Sequence, residues 1–402
     1  SEMSLIMNAV ANKKQTLIVA ALGLIAIGLM AVIFYSPVWW VSLTAPNYPE
    51  EAFPDGVRIH FHMNGVFNGC EKVNKAEIQE DIALDCVHEM DTINHYVGMY
   101  PIAAGGPIER GLGQFLMVFM AIMLVGFVCV RPKLRMTIMG VGFAALLIWM
   151  YLTIYGKDGF NLQSAGYVEA MLTSMDQEAG SSQESEPEIV IGGIVGVLKK
   201  SLEDSGVVVD LPSDNKEAEK AEDLSEKAYM INQLKITYEK DLEYGRVSEP
   251  WNGSTFQVMT WHYGKSLGRY FNNQEEIVPM VANLKIALHV VFAGMAGAML
   301  LLLFGARKNG GILYWLLVLV PMALPVFFVI DYAAWLWWYG HTLNAMGAFA
   351  VKPFMPTVFG DGKVAQFATH SYPYIGFFIM LVLSPVLAVA ALIRKKQFKD
   401  AQ

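Results

Sequence analysis

Cysteine, charge and nucleotide-binding motifs are scarce in this sequence, and each scarcity excludes a class of function. Three cysteines are too few for a zinc ribbon or an iron–sulfur ferredoxin motif, and no Cys-x-x-Cys-His segment offers covalent haem attachment. Charged residues make up 16% of the chain and the formal net charge is −8, so no basic field attracts nucleic acid. Without a glycine-rich phosphate loop, a His-Glu-x-x-His segment or a discernible Ser/His/Asp set, we expect a non-enzymatic protein that binds no nucleotide.

Long hydrophobic runs are what the sequence has in excess. Its hydrophobic content of 54% exceeds the roughly 45–50% of soluble proteins. A run near 20 residues is long enough to cross about 30 Å of hydrocarbon as a helix. Six such runs occupy residues 17–35, 114–130, 136–155, 284–304, 312–330 and 374–393. The fifth contains Pro321 and Pro325, which predict a kink or an unwound turn.

Basic residues indicate how the runs are oriented. They cluster at one set of run ends, at residues 13–14, 131–135, 307–308 and 394–399. The positive-inside rule places these ends, and both termini, in the cytoplasm. The sequence therefore predicts an α-helical polytopic protein of the bacterial inner membrane, with six transmembrane helices, mixed α/β outer loops and a helical periplasmic insert.

The predicted domains alternate between membrane and outer segments. The boundaries are 1–36 for an N-terminal anchor helix, 37–113 for an outer loop with a small strand and turn domain, 114–155 for transmembrane helices 2 and 3, 156–283 for an acidic periplasmic insert, 284–340 for transmembrane helices 4 and 5 with an interfacial aromatic segment, 341–373 for a further outer loop, and 374–402 for the sixth helix and a basic tail. Alternation predicts a strand over 57–63. Residues 216–244 and 256–271 predict helices, and the Ser/Glu/Gln-rich residues 177–187 predict a flexible linker.

One outer hexapeptide, Asn94-His-Tyr-Val-Gly-Met99, combines an imidazole, a phenol and a thioether beside a glycine. His95 and Met99 are four residues apart and would share a face of a helix, where imidazole and thioether suit copper, especially Cu(I). The alternative is that His95 hydrogen-bonds locally and Met99 packs against the membrane surface. The same choice applies to His60 and His62, which alternate along the predicted strand and offer a copper or zinc pair, or a solvated face.

Cys70 and Cys86 are the two cysteines outside the predicted spans. An oxidising periplasm favours a disulfide between them, worth about 3 kcal/mol for a loop of this length. Ligation of copper by both thiolates is the alternative.

Several short segments resemble a known family. They are Ala45-Pro-Asn-Tyr-Pro49, Asp91-Thr-Ile-Asn-His-Tyr-Val-Gly-Met99, Tyr339-Gly-His-Thr-Leu343, Pro353-Phe-Met-Pro356 and Ser371-Tyr-Pro-Tyr-Ile-Gly376. Together they resemble an integral membrane family encoded among the accessory genes of the second, Sec-exported type of nitrous oxide reductase. The resemblance implies an auxiliary role in denitrification, near a periplasmic copper enzyme, in copper-site assembly or electron delivery.

These observations favour an accessory inner-membrane protein that docks, or supplies copper to, a periplasmic copper enzyme. The predicted copper ligands are His95, Met99 and His341. The residues expected to shape the backbone around them are Asn94, Tyr96, Gly98, Pro101, Tyr339 and Gly340. The acidic insert would be a further partner-docking domain.

Two alternatives stay open. The chain could instead be a structural or electron-transfer subunit of a larger membrane complex, packing on other membrane subunits with no metal of its own. A small-molecule transporter is suggested by the interrupted fifth run and by His289 inside the fourth, but charges are nearly absent within the runs. A transmembrane haem would need a second axial histidine opposite His289, and no other run contains one, so no such haem is expected. Asp331 directly follows the fifth run and is expected at the outer edge of the bilayer.

Overall fold

The computed structural model describes residues 2–71, 84–176, 216–349, 351–364 and 366–400, and most of them are helical. The predicted linker at 177–187 lies outside the described residues. The elements in chain order are α1 (Glu2–Tyr35), β1 (Trp39–Thr44), β2 (Val57–His62), β3 (Gly65–Asn68), α2 (Cys86–Tyr96), α3 (Pro107–Val128), α4 (Pro132–Ile154), α5 (Ala165–Asp176), α6 (Lys216–Glu243), α7 (Thr255–Leu267), α8 (Gln274–Gly305), α9 (Ile312–Met322), α10 (Leu324–His341), β4 (Gly360–Val364), β5 (Phe367–Pro373) and α11 (Ile375–Asp400).

Five helices in the described part of the chain are long and apolar enough to cross a membrane. They are α1, α3, α4, α8 and α11, and the bent pair α9–α10 makes a sixth when it is counted as one span. These helices coincide with the six hydrophobic runs. Each extends past its run at one end or both, because the run marks only the apolar part of a helix whose polar turns continue beyond it.

The fifth run is sharply bent, as its prolines predict. Helix α9 ends at Met322 and α10 begins at Leu324, with an angle of 64° between them. A bend of this kind leaves backbone carbonyls without helical partners, which is costly in an apolar environment. The Ser384 hydroxyl of α11 donates to the Met322 carbonyl at 2.7 Å, so the neighbouring helix satisfies one of them. Beyond the bend, α10 continues through Asp331 to His341.

Two fully buried arginines close one end of the helical bundle. The Arg135 guanidinium donates to the carbonyls of Cys129 at 2.7 Å and Ala306 at 2.6 Å, just past the ends of α3 and α8. Arg394 donates to the carbonyl of Val128 at 2.7 Å. The last carbonyls of a helix have no intrahelical partner. These arginines therefore bring α3, α4, α8 and α11 together at the end where the basic clusters lie.

A five-stranded antiparallel sheet joins the two ends of the chain, with strand order β3-β2-β1-β5-β4. Trp39 in β1 faces Pro373 in β5, so the segments after the first helix and before the last form one unit. The Trp39 ring also packs against Tyr332 of α10 and Phe377 of α11, which seats the sheet on the helical bundle. Alternation in the sequence predicted β2 alone among these strands.

Helix α2 covers one face of the sheet, and a disulfide fixes its start. Val87, Met90 and Ile93 pack on Val57 and Ile59 of β2. The predicted Cys70–Cys86 disulfide is present, with 6.0 Å between the two Cα atoms. We call α2 together with the five strands the sheet domain.

Helices α5, α6 and α7 pack beside the sheet domain. Helix α6 matches the helix predicted over 216–244, whereas α7 ends at Leu267, four residues before the predicted end at 271. Val168, Leu234 and Val258 are fully buried where the three helices meet. The buried His262 ring forms a hydrogen bond of 2.7 Å with the Ser174 hydroxyl. Burial lowers the pKa of His262 to about 3.

Candidate functional site

The hexapeptide lies at the end of α2, where the chain reverses. The Met99 amide returns to the Asn94 carbonyl at 3.0 Å, and Gly98 has a φ of +87°. A Cβ at Gly98 would lie 2.7 Å from the Asn344 carbonyl oxygen, so both the backbone conformation and the space require glycine.

The segment that follows α10 closes over this turn. The Asn344 amide donates to the Gly98 carbonyl at 2.8 Å, and the Phe349 amide donates to the Tyr96 carbonyl at 3.0 Å. We call residues 94–101 and 341–349 together the motif platform. The structure therefore brings the end of α2 and the segment after α10 together, although they are far apart in sequence.

The predicted structural residues support this junction. The Tyr339 hydroxyl donates to the Ile102 carbonyl at 2.8 Å, directly after Pro101. Gly340 lies so close to the Phe354 carbonyl that a Cβ would overlap it. The Asn344 side chain donates to the Tyr100 hydroxyl at 3.1 Å, and that hydroxyl donates to Glu276 at 2.9 Å. The start of α8 is thereby tied to the motif platform.

The three predicted copper ligands have three different surroundings. The His95 ring stacks on Tyr270 with 4.9 Å between centroids, and its buried Nδ1 has no hydrogen-bond partner among the residues that the structure describes. Met99 is buried and lines a cavity of about 90 Å³ on the side of the sheet, a cavity to which His95 does not contribute. His341 is exposed, with its ring stacked on Trp337 at 4.4 Å. The structure does not bring these side chains into one ligand set.

His60 and His62 also have separate neighbours. The His60 ring stacks on Tyr374 at 5.1 Å, and within the described part of the chain its buried Nε2 has no hydrogen-bond partner. The His62 ring packs on the edge of Phe67 at 4.9 Å. Burial and the neighbouring His60 lower the pKa of His62 to about 4, so its imidazole is neutral near pH 7. Across the described ranges, no group of three or more His, Cys, Asp or Glu side chains is arranged to hold a metal ion.

A buried carboxyl that the sequence did not single out holds the motif platform from beneath. The Asp91 side chain is fully buried, and its Oδ1 accepts the Ile102 amide at 2.6 Å. Its Oδ2 lies 3.7 Å from the Arg269 guanidinium, which also reaches His88 at 2.9 Å. Burial raises the pKa of Asp91 to about 7, against the lowering by the Ile102 amide and Arg269. In the sequence, Asp91 stood out only as the first residue of the segment Asp91–Met99.

A cavity of about 430 Å³ lies at the base of the sheet domain. We call it the boundary cavity, because its walls come from the sheet domain and from the candidate spans α3, α8 and α10. Its apolar walls include Phe61, Val291, Phe328 and Tyr332, and its polar lining consists mainly of His62, Glu109, Arg110, Asp331 and Trp335.

Two acids meet at the polar end of the boundary cavity. The Trp335 indole donates to Glu109 at 3.1 Å, and Asp331 is close enough to Glu109 for the two side chains to interact. The Arg110 guanidinium, on the same lining, donates to the carbonyls of Ala103 at 2.8 Å and Gly106 at 3.1 Å. Asp331 therefore lines an apolar cavity at the bundle boundary. The sequence signal for this site was an acid that follows a hydrophobic run, and Glu109 carried none.

Comparison with known proteins adds no further constraint. The chain matches no family model, and neither curated proteins nor solved structures match it.

Proposed function

We propose that this chain is a multi-pass protein of the bacterial cytoplasmic membrane whose sheet domain faces the periplasm and docks a periplasmic protein. The six candidate spans support membrane insertion, and the basic residues at one end of the bundle support this orientation. The resemblance of the motif segments supports a partner of the copper-enzyme class, similar to nitrous oxide reductase.

The motif platform is the observation that carries the docking role. Backbone hydrogen bonds hold its two segments together, but several large apolar side chains of these segments are exposed to solvent. Tyr96 is 43% exposed, Phe349 is 59% exposed and Met346 is 63% exposed, with 6.4 Å between the rings of Tyr96 and Phe349. Aromatic and methionine side chains are enriched at protein interfaces, and a pre-ordered surface loses little entropy on binding.

The same geometry favours docking over copper ligation by this chain. His95 and Met99 turn inward to different neighbours, so their contribution is to fix the backbone on which Tyr96 stands. His341 stacks on Trp337 at the rim of the motif platform. Any copper would then belong to the partner, and this chain would hold the partner at the membrane during assembly of its metal site.

A cross-linking experiment tests docking directly. A photo-reactive amino acid replaces Phe349 in the full chain in native membranes, and the matched control carries it at Tyr244, which is 73% exposed beyond the end of α6. We expect illumination to attach a periplasmic copper protein at position 349 and not at position 244. Adducts with membrane subunits alone would instead support the structural-subunit alternative and overturn this proposal, as would equal labelling at both positions.

A substitution gives an independent measure of the same contact. We expect Phe349→Asp to reduce the amount of partner that co-purifies with the chain by about tenfold, because a charge at the centre of an apolar contact must be desolvated. Tyr244→Asp, the control, should leave co-purification unchanged. Unaltered recovery with Phe349→Asp would contradict a docking surface at the motif platform.

A further inference from the structure

The boundary cavity has the size and lining of a small-molecule site. Ligand pockets commonly enclose about 300–1,000 Å³ and are mostly apolar with a few convergent polar groups. The boundary cavity holds about 430 Å³, and its polar lining includes Glu109 and Asp331. None of these groups is needed for the docking role of the motif platform.

One wall of the boundary cavity reaches the lateral surface of the bundle. Val291 and Met295 of α8 form one side, and Phe327 of α10 forms the other. Phe327 is also 52% exposed, so the cavity meets the surface beside it. The neighbouring Val290 and Val326 are exposed apolar side chains that would contact acyl chains. A ligand could therefore enter from the bilayer between α8 and α10.

The acid pair gives the cavity a defined hydrogen-bonding character. The neighbouring side chains of Glu109 and Asp331 place several carboxyl oxygens, which accept hydrogen bonds, on one part of the cavity lining. In the described part of the chain neither Glu109 nor Asp331 forms an ion pair with a basic side chain, and the Trp335 indole donates to Glu109. The pair thus presents acceptor oxygens to a ligand with a hydroxyl group.

Flat aromatic surfaces line the space above the acids. The rings of Phe328 and Tyr332 are parallel within 8°, with 6.0 Å between centroids, and the edge of Phe61 packs on Tyr332. The neutral imidazole of His62 lies on the same lining. A planar ring carrying hydroxyl groups would find stacking surfaces and hydrogen-bond partners in one enclosure.

We infer that the boundary cavity binds a lipophilic hydroxyaromatic molecule of the quinol class, drawn from the bilayer between α8 and α10. Its ring lies against Phe328 and Tyr332, and one hydroxyl donates to the Glu109–Asp331 pair. A phospholipid headgroup fits less well, because its phosphate is negative and would approach the acid pair while Arg110 is engaged with backbone carbonyls.

Equilibrium dialysis of the purified full chain in quinone-free detergent tests this assignment, with decylubiquinol as the probe under anaerobic conditions. We expect saturable binding of one decylubiquinol per chain. Val291→Trp fills the cavity and should weaken binding at least tenfold. Val290→Trp adds the same bulk to the adjacent, 63% exposed residue and should leave binding unchanged.

A second pair of measurements examines the acid pair. The double variant Glu109→Gln, Asp331→Asn should lose at least tenfold in affinity for decylubiquinol and much less for oxidised decylubiquinone, which has no hydroxyl to donate. A melting temperature within a few degrees of that of the parent verifies that each variant is folded. A variant that fails this check is replaced by Leu324→Trp, which fills the boundary cavity from a different wall.

Three results would overturn the quinol assignment. They are the absence of saturable binding, equal weakening by the two valine variants, and full displacement of the probe by one equivalent of phosphatidylethanolamine, which would identify a lipid site. Cross-linking of a partner at position 349 does not depend on any of these three results. If the quinol assignment fails, the docking proposal is therefore unaffected.

Discussion

The Asn344 amide and the Gly98 carbonyl form a hydrogen bond of 2.8 Å that joins the turn after α2 to the segment after α10. Through this contact, side chains that follow two different helices share one rigid surface. The bond exists because Gly98, with a φ of +87°, directs its carbonyl outward and leaves no side chain in the way. Four predictions follow from this and related contacts.

Gly98→Ala should destabilise the sheet domain by about 1–3 kcal/mol, because alanine resists a positive φ and its Cβ would lie 2.7 Å from the Asn344 carbonyl. Thermal melting in detergent measures the change. Gly245→Ala is a matched control, since Gly245 has a φ of +70° with nothing within 4 Å of an added Cβ. If both variants lose the same stability, the Asn344 contact contributes nothing beyond backbone strain.

Asp91→Asn should flatten the dependence of stability on pH between about pH 4 and pH 7. Burial raises the pKa of Asp91 from 3.8 to about 7, so the unfolded state ionises first as pH rises. The stability that protonated Asp91 contributes is therefore complete below about pH 4 and is lost as pH rises to about 7, by at most about 4 kcal/mol.

Melting temperatures at pH 4.5 and pH 8 in the same detergent measure this effect. The parent should lose more stability between these two pH values than Asp91→Asn does. Asp55→Asn, which changes an exposed carboxylate of the same domain, should behave like the parent. An identical pH profile for the parent and Asp91→Asn would show that Asp91 is ionised in the folded chain.

Replacing Cys70 and Cys86 together with serine should lower the free energy of unfolding by about 3 kcal/mol, because the disulfide closes a loop with a sequence separation of 16 residues. Chemical denaturation followed by tryptophan fluorescence measures the loss. A reductant should destabilise the parent and leave the double variant unaffected. Cys129→Ser, which changes the free cysteine, should respond to reductant as the parent does. If Cys129→Ser no longer responds, the redox sensitivity does not come from the Cys70–Cys86 disulfide.

Ser384→Ala should cost about 1 kcal/mol, because it removes the donor at 2.7 Å from the Met322 carbonyl and leaves that group unsatisfied at the bend. Thermal melting again provides the measurement. Ser36→Ala is the control, since the Ser36 hydroxyl, directly after the end of α1, donates locally to the Val32 carbonyl in the last turn of that helix. Equal effects of the two substitutions would mean that the bend does not depend on Ser384.

Local patterns accounted for the elements whose cause is local. A run of about twenty apolar residues forms a helix regardless of which elements pack against it. Pro321 and Pro325 likewise interrupt α-helical hydrogen bonding regardless of their tertiary neighbours. The alternation over residues 57–63 gave β2, because side chains of a strand point to opposite faces. Cys70 and Cys86 could be paired because no other cysteine lies outside the predicted spans.

Helical spacing was also correct in a limited sense for the hexapeptide. Asn94, His95 and Tyr96 do lie at the end of a helix, but α2 ends before Met99, and beyond the turn at Gly98 the thioether has different neighbours from the imidazole. Spacing of four residues places two side chains on one face only while the helix continues. Gly98, just past the end of α2, is the residue type that commonly ends a helix, and it was the sequence signal that this one stops before Met99.

The sequence by itself determined which segments are apolar helices, where one of them bends and which cysteines pair, since each depends on neighbours within a few residues. Only the tertiary structure decided that β1 pairs with β5, that Glu109 meets Asp331 and that Asn344 closes over Gly98. The physical reason is that these contacts join residues hundreds of positions apart, as Trp39 and Ser371 show with a separation of 332. Periodicity tells which face of an element is buried, and it carries no information about which distant element covers that face.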